Sequence, residues 1–448
     1  MKKFFIDTLG CAKNEYDSQM LAASLLERGC VMVDNTDDAD ILIVNTCGFI
    51  EDAKKESIER IFELAEERGE KKKLVVTGCL SERYHKELAE EMPEVDLFFG
   101  VNDYDVLPEL LLNDDSTGNS DRVGADIDAL PYRNRHFENG SYFGYLKIAE
   151  GCNNNCSFCA IPLIRGPFRS KRIEDCVAEA RDMAAAGIKE LILIAQDTSQ
   201  YGRDLYGKVR LPDLLHELCA IEGIEWIRLM YVYDNGITDE LIETIANEPK
   251  ICKYIDMPIQ HVSDRVLNLM RRRSSGDSIK AVIQKLRDRI PDVHIRTTLL
   301  VGFPGETQAD IDELLDFIDN NDIDRLGAFA FSDEEGTPSF DMDGKVPEEE
   351  REERRDLVMQ HQLAVSEKLN ERKIGSVYEV MVDECITMET GDDTADEPVL
   401  YSGRTRYDAP EIDCAVTFSS DNTELVPGDI VNVRITDAFE YDLEGVEV

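Results

Sequence analysis

Three cysteines, Cys152, Cys156 and Cys159 in the stretch GCNNNCSFCAIP from Gly151 to Pro162, are the residues of this chain most plainly equipped for chemistry. Thiolates in a CxxxCxxC spacing converge on one face of a short loop, which suits a soft centre such as zinc or an iron-sulfur cluster. A structural zinc site wants a fourth ligand nearby. None follows before Cys176, inside the next predicted helix, so the set leaves a coordination position open. Three further cysteines, Cys11, Cys47 and Cys79, each end a strand-like run: FFIDTLGC, ADILIVNTC and KKLVVTGC. In open parallel sheets ligands bind outside the carboxyl ends of strands, so thiols far apart in sequence could meet there. Gly10, Gly48 and Gly78 adjoin them and would let backbone approach a bulky group closely. The plainer alternatives are a zinc knuckle for the first set and unrelated core thiols for the second.

The elements that must position these residues are legible from periodicity. Around Cys11, Cys47 and Cys79 the pattern alternates strand and helix, with helices predicted over Asp17 to Arg28, Glu51 to Arg68 and Glu82 to Glu91. That alternation predicts a parallel α/β sheet. The text turns polar from about Leu112 to Asn139, which reads as a linker. A second series follows, with strands at 142–149, 190–195, 226–232, 254–257, 294–301 and 326–331 and helices between them. Six such repeats predict a partial (β/α)6 barrel with its chemistry at the carboxyl ends of the strands. Polar residues cluster at those ends: Gln196, Asp197 and Thr198; Gln260, His261 and Ser263; Arg296, Thr297 and Thr298, ahead of GFPGET at 302–307. A strand interior prefers apolar residues, so these are candidate ligand contacts, each weighed against an ordinary cap or turn.

From Pro347 to Lys373 a charged helix is predicted to lie on the barrel through Val358, Val365 and Leu369, its EEEREERR run a solvated face. Short strands then predict a small antiparallel barrel of the OB type. The resulting domains are 1–118, a linker 119–137, the barrel with its trailing helix 138–373, and 374–448.

Net charge is −44 across 448 residues, a surface that repels phosphate backbones and attracts basic partners. Between Ser376 and Val448 there are nineteen acids against three bases, Arg404, Arg406 and Arg434. The twelve cysteines, with no secretory pattern and no membrane-length apolar run, favour reduced or metal-bound thiols in a cytosolic protein. The six outside the two triplets read as small buried hydrophobes.

The barrel triplet, with Phe158 just before its last cysteine, resembles the signature of the radical S-adenosylmethionine (SAM) enzymes. The whole order, isolated cysteines on an α/β domain, CxxxCxxC on a partial barrel and a TRAM-like barrel, resembles the methylthiotransferases. LGCAKNEYDS, VNTCGFI, GCNNNCSFCAIPLIRGPFRS, LILIAQDTSQYG, WIRLMYVYD and RYDAPEID look like the branch that modifies ribosomal protein S-twelve, the RimO family.

The resemblance implies two 4Fe-4S clusters, one on Cys152, Cys156 and Cys159 that binds SAM, and one on Cys11, Cys47 and Cys79 that carries the sulfur. With SAM as the ligand, the strand-end residues Gln196, Gln260, Ser263, Arg296 and Thr298, together with Phe158, are the candidate SAM contacts, and the reaction calls for an electron donor such as flavodoxin or ferredoxin. One SAM would supply the methyl group and another the radical that takes hydrogen from the β-carbon of an aspartate in the ribosomal protein. Sulfur capture needs near contact, so the clusters are expected roughly 8 to 16 Å apart with the target between them. Two rivals share these cysteines: a tRNA adenosine methylthiotransferase, which should carry a basic last domain, and a non-catalytic iron-sulfur protein. The acidic last domain favours a basic protein over RNA as the dominant partner, with no membrane involved.

Overall fold

The computed structural model describes residues 1–69, 71–102, 104, 106–112, 130–386 and 398–448. The first sheet is parallel and five-stranded: β1 (Lys3–Thr8), β2 (Val31–Met32), β3 (Ile41–Thr46), β4 (Lys73–Gly78) and β5 (Leu97–Phe98), in the order β2-β1-β3-β4-β5. Every residue of β3 is buried, as expected of a central strand covered on both faces. Helices α1 (Ala12–Glu27), α2 (Glu51–Arg68), α3 (Cys79–Glu91) and α4 (Leu107–Leu112) cover the sheet. Among them α2 turns Ser57, Ile61 and Leu64 inward, at the three- and four-residue spacing of one helix face.

The second sheet runs β6 (Phe143–Lys147), then a small antiparallel pair, β7 (Ala149–Glu150) and β8 (Arg169–Ser170), then β9 (Glu190–Ile194), β10 (Trp226–Leu229), β11 (Ile251–Asp256), β12 (His294–Val301) and β13 (Arg325–Ala330). Its six long strands pair in parallel in the order β13-β12-β11-β10-β9-β6, a partial barrel. Burial alternates along β12. Ile295, Leu299 and Val301 pack into the core under the helices, while Arg296, Thr298 and Leu300 face the barrel interior. The outer helices are α5 (Ile161–Ile164), α6 (Ile173–Ala185), α7 (Arg203–Tyr206), α8 (Leu211–Cys219), α9 (Asp239–Asn247), α10 (Asp264–Leu269), α11 (Gly276–Arg289), α12 (Gln308–Asn320) and α13 (Glu348–Glu371).

Residues 119–129 of the expected linker lie outside the described residues, but the stretch from Leu130 is packed rather than loose. Leu130 bridges to Lys171, and the buried Arg135 donates to the Tyr145 carbonyl at 2.6 Å. On α13, Val358 and Val365 join the barrel core as expected, but the charged run is only partly solvated. Arg354 is buried on Glu306 at 2.8 Å, and Arg351 donates to the Phe331 carbonyl at 2.8 Å. The reason is the GFPGET turn, which buries a carboxylate that needs a cation. Among the described residues no helix is long and apolar enough to cross a membrane.

Strands β14 (Val377–Cys385), β15 (Val399–Thr405), β16 (Val416–Ser420), β17 (Ile430–Ala438) and β18 (Leu443–Glu447) close a small barrel in the order β14-β15-β16-β18-β17. Its RYDAPEID loop plugs the amino-terminal mouth of the larger one. Tyr407 stacks on His294 at 4.0 Å, Arg325 meets Asp408 at 2.7 Å, and Tyr254 donates to Asp413 at 2.6 Å. Ala409 and Met381 pack with Trp226 and Tyr254 in the barrel interior.

Burial alone would raise the Asp408 carboxyl, yet Arg325 and Lys373 bring it from its ordinary 3.8 down to about 2. A carboxylate whose folded pKa lies below its unfolded one contributes stability that is complete above about pH 4 and is lost as the pH falls toward 2. Asp408→Ala should therefore cost about 3 to 5 kcal/mol at neutral pH, because Arg325 is left buried and unpaired. Urea unfolding followed by fluorescence of Trp226, the single tryptophan, should show the lowered midpoint, and the gap to wild type should narrow on acidification. An unchanged midpoint would mean that docking does not rest on this pair.

Candidate functional site at the junction of two cysteine triplets

Each cysteine of the first triplet follows a strand of the first sheet. Cys11 comes after β1 and caps α1, Cys47 comes directly after β3, and Cys79 opens α3 after β4. Because β1, β3 and β4 are adjacent, the three loops meet at one sheet end. Their contact is close enough to exclude side chains at the glycines. A Cβ on Gly10 would fall 2.7 Å from the Cys47 Cβ, and one on Gly78, at φ +101°, would fall 2.4 Å from the Thr46 carbonyl oxygen. Ser57 fixes the Cys47 backbone, accepting from its N–H and donating to its carbonyl, both at 3.0 Å. Cys11 is exposed, while Cys47 and Cys79 are buried.

The barrel triplet lies on the loop between β7 and α5, with Cys152 and Cys156 buried and Cys159 half-buried. The Cys152 sulfur accepts from the Asn154 N–H at 3.4 Å, and Cys156 lies 3.8 Å from Arg272 and 4.0 Å from the Tyr233 hydroxyl. Burial pushes the Cys152 thiol up to about 11 and the Cys159 and Cys79 thiols up to about 12. Such thiols stay protonated unless a metal displaces the proton, which is how metal sites of this kind fill. Among the described residues no group of three His, Cys, Asp or Glu side chains is drawn together as a single-ion site. The soft sulfur donors of each triplet are the kind that an iron-sulfur cluster takes.

A buried ionic junction holds the two triplets together. Asp17 of α1 meets Lys147 at 2.6 Å and Arg165 at 2.6 Å, and both cations also meet Glu150, at 2.6 and 3.2 Å. Arg165 follows the barrel triplet on the turn after α5, and its other nitrogen reaches Asn14 at 2.7 Å and the Cys79 sulfur at 3.3 Å. A barrel side chain thus touches a cysteine of the other domain. A second clamp joins Glu334, beyond β13, to Lys54 at 3.1 Å and Arg83 at 2.6 Å. The first domain is therefore tied to both edges of the partial barrel.

Of the residues expected to contact a ligand, Thr298 faces the barrel interior, and its carbonyl accepts from the Gln260 N–H at 2.9 Å. Gln260 holds φ at +72°, a conformation side chains rarely adopt, which fixes the end of the sheet there. Phe158 packs near Phe303, centroids 6.5 Å apart. Gln196 donates to Glu150 at 2.7 Å, and its buried carbonyl oxygen has no hydrogen-bond partner among the described residues. The other two candidates have protein partners. Ser263 donates to Asp310 at 2.6 Å, and Arg296 is held by Asp256 at 2.7 Å and by Asp413 of the small barrel at 3.4 Å. His261, lowered by burial to about 4, accepts from two backbone N–H groups and is structural. Asn14, Asp17, Lys147, Glu150 and Arg165 went unmarked in the sequence, although a lysine and a glutamate in the apolar run before Cys152 were a signal.

Residues 3–100 match a family described as uncharacterized protein family UPF0004, 146–318 the radical SAM superfamily and 374–448 the TRAM domain. A protein of Clostridioides difficile named "Ribosomal protein uS12 methylthiotransferase RimO" is 45% identical over 99% of this chain and 98% of its own length. The chain belongs to the RimO family. A relative of the same name from Desulforamulus reducens is 46% identical over 98% of this chain and 98% of its own length. Among solved structures, the radical SAM methyltransferase TsrM from Kitasatospora setae, with cobalamin and a [4Fe-4S] cluster bound, aligns with a TM-score of 0.56. That likeness covers 84% of this chain and 80% of the other at 13% identity, and carries the fold alone.

If the junction closes the RimO-family site, Arg165→Lys should loosen it, since an ammonium cannot reproduce a guanidinium fork serving four partners. Amide exchange along α1 should speed up by about ten- to a hundredfold, the worth of about 1.5 to 3 kcal/mol for lost charge-assisted hydrogen bonds. Exchange in β14 to β18 should not change. Equal acceleration in both regions, or none in α1, would contradict a local closing role.

Proposed function

We propose that this chain is a radical SAM enzyme that adds a methylthio group to the β-carbon of an aspartate in ribosomal protein S-twelve. The observation that carries the reading is the approach of the two triplets, with Arg165 of the barrel on Cys79 of the first domain. In this reading Cys152, Cys156 and Cys159 hold one 4Fe-4S cluster, and Cys11, Cys47 and Cys79 hold the other. When bound, the clusters and SAM supply the electron, the hydrogen-abstracting radical and the sulfur.

The chain's own residues do the rest. The Asn154 N–H and Arg272 orient the barrel sulfurs, while Asn14 and Arg165 orient Cys79. Phe158, Gln196, Gln260 and Thr298 line the SAM side, with the Gln196 carbonyl oxygen free to accept a hydrogen bond. Asp17, Lys147, Glu150 and Glu334 with its two cations keep the first domain over the barrel mouth, which excludes water from a reactive carbon centre. At the other mouth, Arg404 is buried on Glu190 and Arg406 leans on Glu379 and the Pro249 carbonyl, so of the last domain's bases only Arg434 is exposed. That supports a basic protein rather than RNA as the partner, because RNA binding needs a cationic surface. A small soluble electron carrier is the natural reductant.

Replacing Cys156 by Ala should abolish 5'-deoxyadenosine formation and leave one cluster bound. Replacing Cys47 by Ala should preserve SAM cleavage and stop methylthiolation. Anaerobic reconstitution, iron and sulfide analysis and product chromatography read both outcomes. A Cys47→Ala protein that still methylthiolated at the wild-type rate without added sulfide would make the first triplet structural. Titration of the whole protein with ribosomal protein S-twelve and with unmodified tRNA should favour the former at low salt, and preference for tRNA would move the assignment to the tRNA-modifying branch.

A further inference from the structure

Lys13 stands in the first turn of α1, just past Cys11, and is only 8% exposed. Its ammonium lies 3.3 Å above the centre of the Tyr231 ring. Among the described residues it makes no hydrogen bond and no ion pair. Every other buried lysine or arginine among them has an acceptor. Lys147 and Lys171 face carboxylates, for example, as do Arg228 and Arg354. An ammonium on so deeply buried a side chain keeps little of its hydration, and a cation-π contact replaces only part of what an anion would give.

The place is as unusual as the missing partner. Tyr231 follows β10 at the carboxyl mouth of the barrel, close in the chain to Tyr233, whose hydroxyl lies 4.0 Å from the Cys156 sulfur. Lys13 over Tyr231 thus joins the turn that follows Cys11 to the strand end whose Tyr233 reaches Cys156. Tyr231 is held rigidly there. Its φ of +59° is a strained conformation for a non-glycine residue. Its N–H donates to Asp256 at 2.8 Å, and its carbonyl accepts from the Thr198 N–H at 3.1 Å and hydroxyl at 3.2 Å. The Tyr231 hydroxyl has no hydrogen-bond partner among the described residues.

We propose that Lys13, fixed over Tyr231, receives the carboxylate of the substrate aspartate and so selects that residue and sets its β-carbon between the triplets. The proposal rests on the substrate reading above. A carboxylate entering this buried spot must lose its hydration and needs a cation already in place. It is bonded directly to the reacting carbon, so one charge-assisted contact positions that carbon within a bond length. The free ammonium is thus a stability cost in the empty protein that the substrate removes.

The test uses the reconstituted full-length protein, ribosomal protein S-twelve, and a form of it whose target aspartate is asparagine. Wild type should bind the aspartate form at least about tenfold more tightly, the size of one charge-assisted hydrogen bond. Lys13→Met should bring the ratio near one, with iron content and SAM affinity unchanged, and Lys13→Arg should restore part of the preference. Because Lys13→Met removes an unpaired buried charge, its melting temperature should equal or exceed that of wild type, whereas a merely structural clip between domains would lower it. Lys13→Met that keeps the preference for aspartate, or loses SAM affinity instead, would overturn the assignment. Wild type that bound neither form would overturn the substrate reading together with this one.

Discussion

Two carboxylates and two cations, taken out of water together, decide how this molecule is put together. Asp17 belongs to the first domain, while Lys147, Glu150 and Arg165 belong to the barrel, and all are buried. Burial alone would raise Glu150, but Lys147 and Arg165 hold it well below the usual carboxylate range. Without Asp17 the barrel would keep two cations and one anion in a desolvated place, and without the barrel Asp17 would be unpaired. Breaking such a set is far costlier than never having built it, so the junction works as a registry device that favours one docking of the two domains. The Arg165 fork uses that registry: one nitrogen is held on Asp17 while the other is set against Cys79.

The small barrel imposes the complementary constraint. By filling the amino-terminal mouth with Tyr407, Asp408, Ala409 and Asp413, it leaves the carboxyl mouth as the place for chemistry. There the first domain arrives with its own three thiols. A reactive centre made between two domains can be sealed from water yet opened to a large substrate by moving one of them, which suits a target carried on a protein. The small barrel, two of its three arginines turned inward, keeps a strongly negative charge at that end of the molecule.

The elements with apolar periodicity were readable almost to the residue: helices 51–68 and 308–320 and strand 294–301 stand where their patterns put them. The misreadings share a physical source, polar groups paired with partners far away in the sequence. Helix α1 begins at Ala12 rather than Asp17 because Lys13, Asn14 and Asp17 are buried against barrel partners and look like loop in the sequence, while the Cys11 carbonyl already accepts from the Asn14 and Glu15 N–H groups. Helix α3 likewise starts at Cys79, three residues before the expected Glu82. Arg296 is a candidate ligand contact on local grounds that also has a distant partner, and nothing near it in sequence announces Asp413. The cysteines were legible because their spacing and strand-end positions are local; the ions that hold them in register are not.

The central claim is that two triplets brought together by this junction deliver sulfur to a protein carbon. It is tested most directly by mass spectrometry of ribosomal protein S-twelve and of bulk tRNA from cells with and without the gene for this chain. The account predicts that a methylthio group on one aspartate of the ribosomal protein disappears with the gene while tRNA modifications are unchanged. Loss of a methylthio group from tRNA, with the ribosomal protein unaltered, would contradict it.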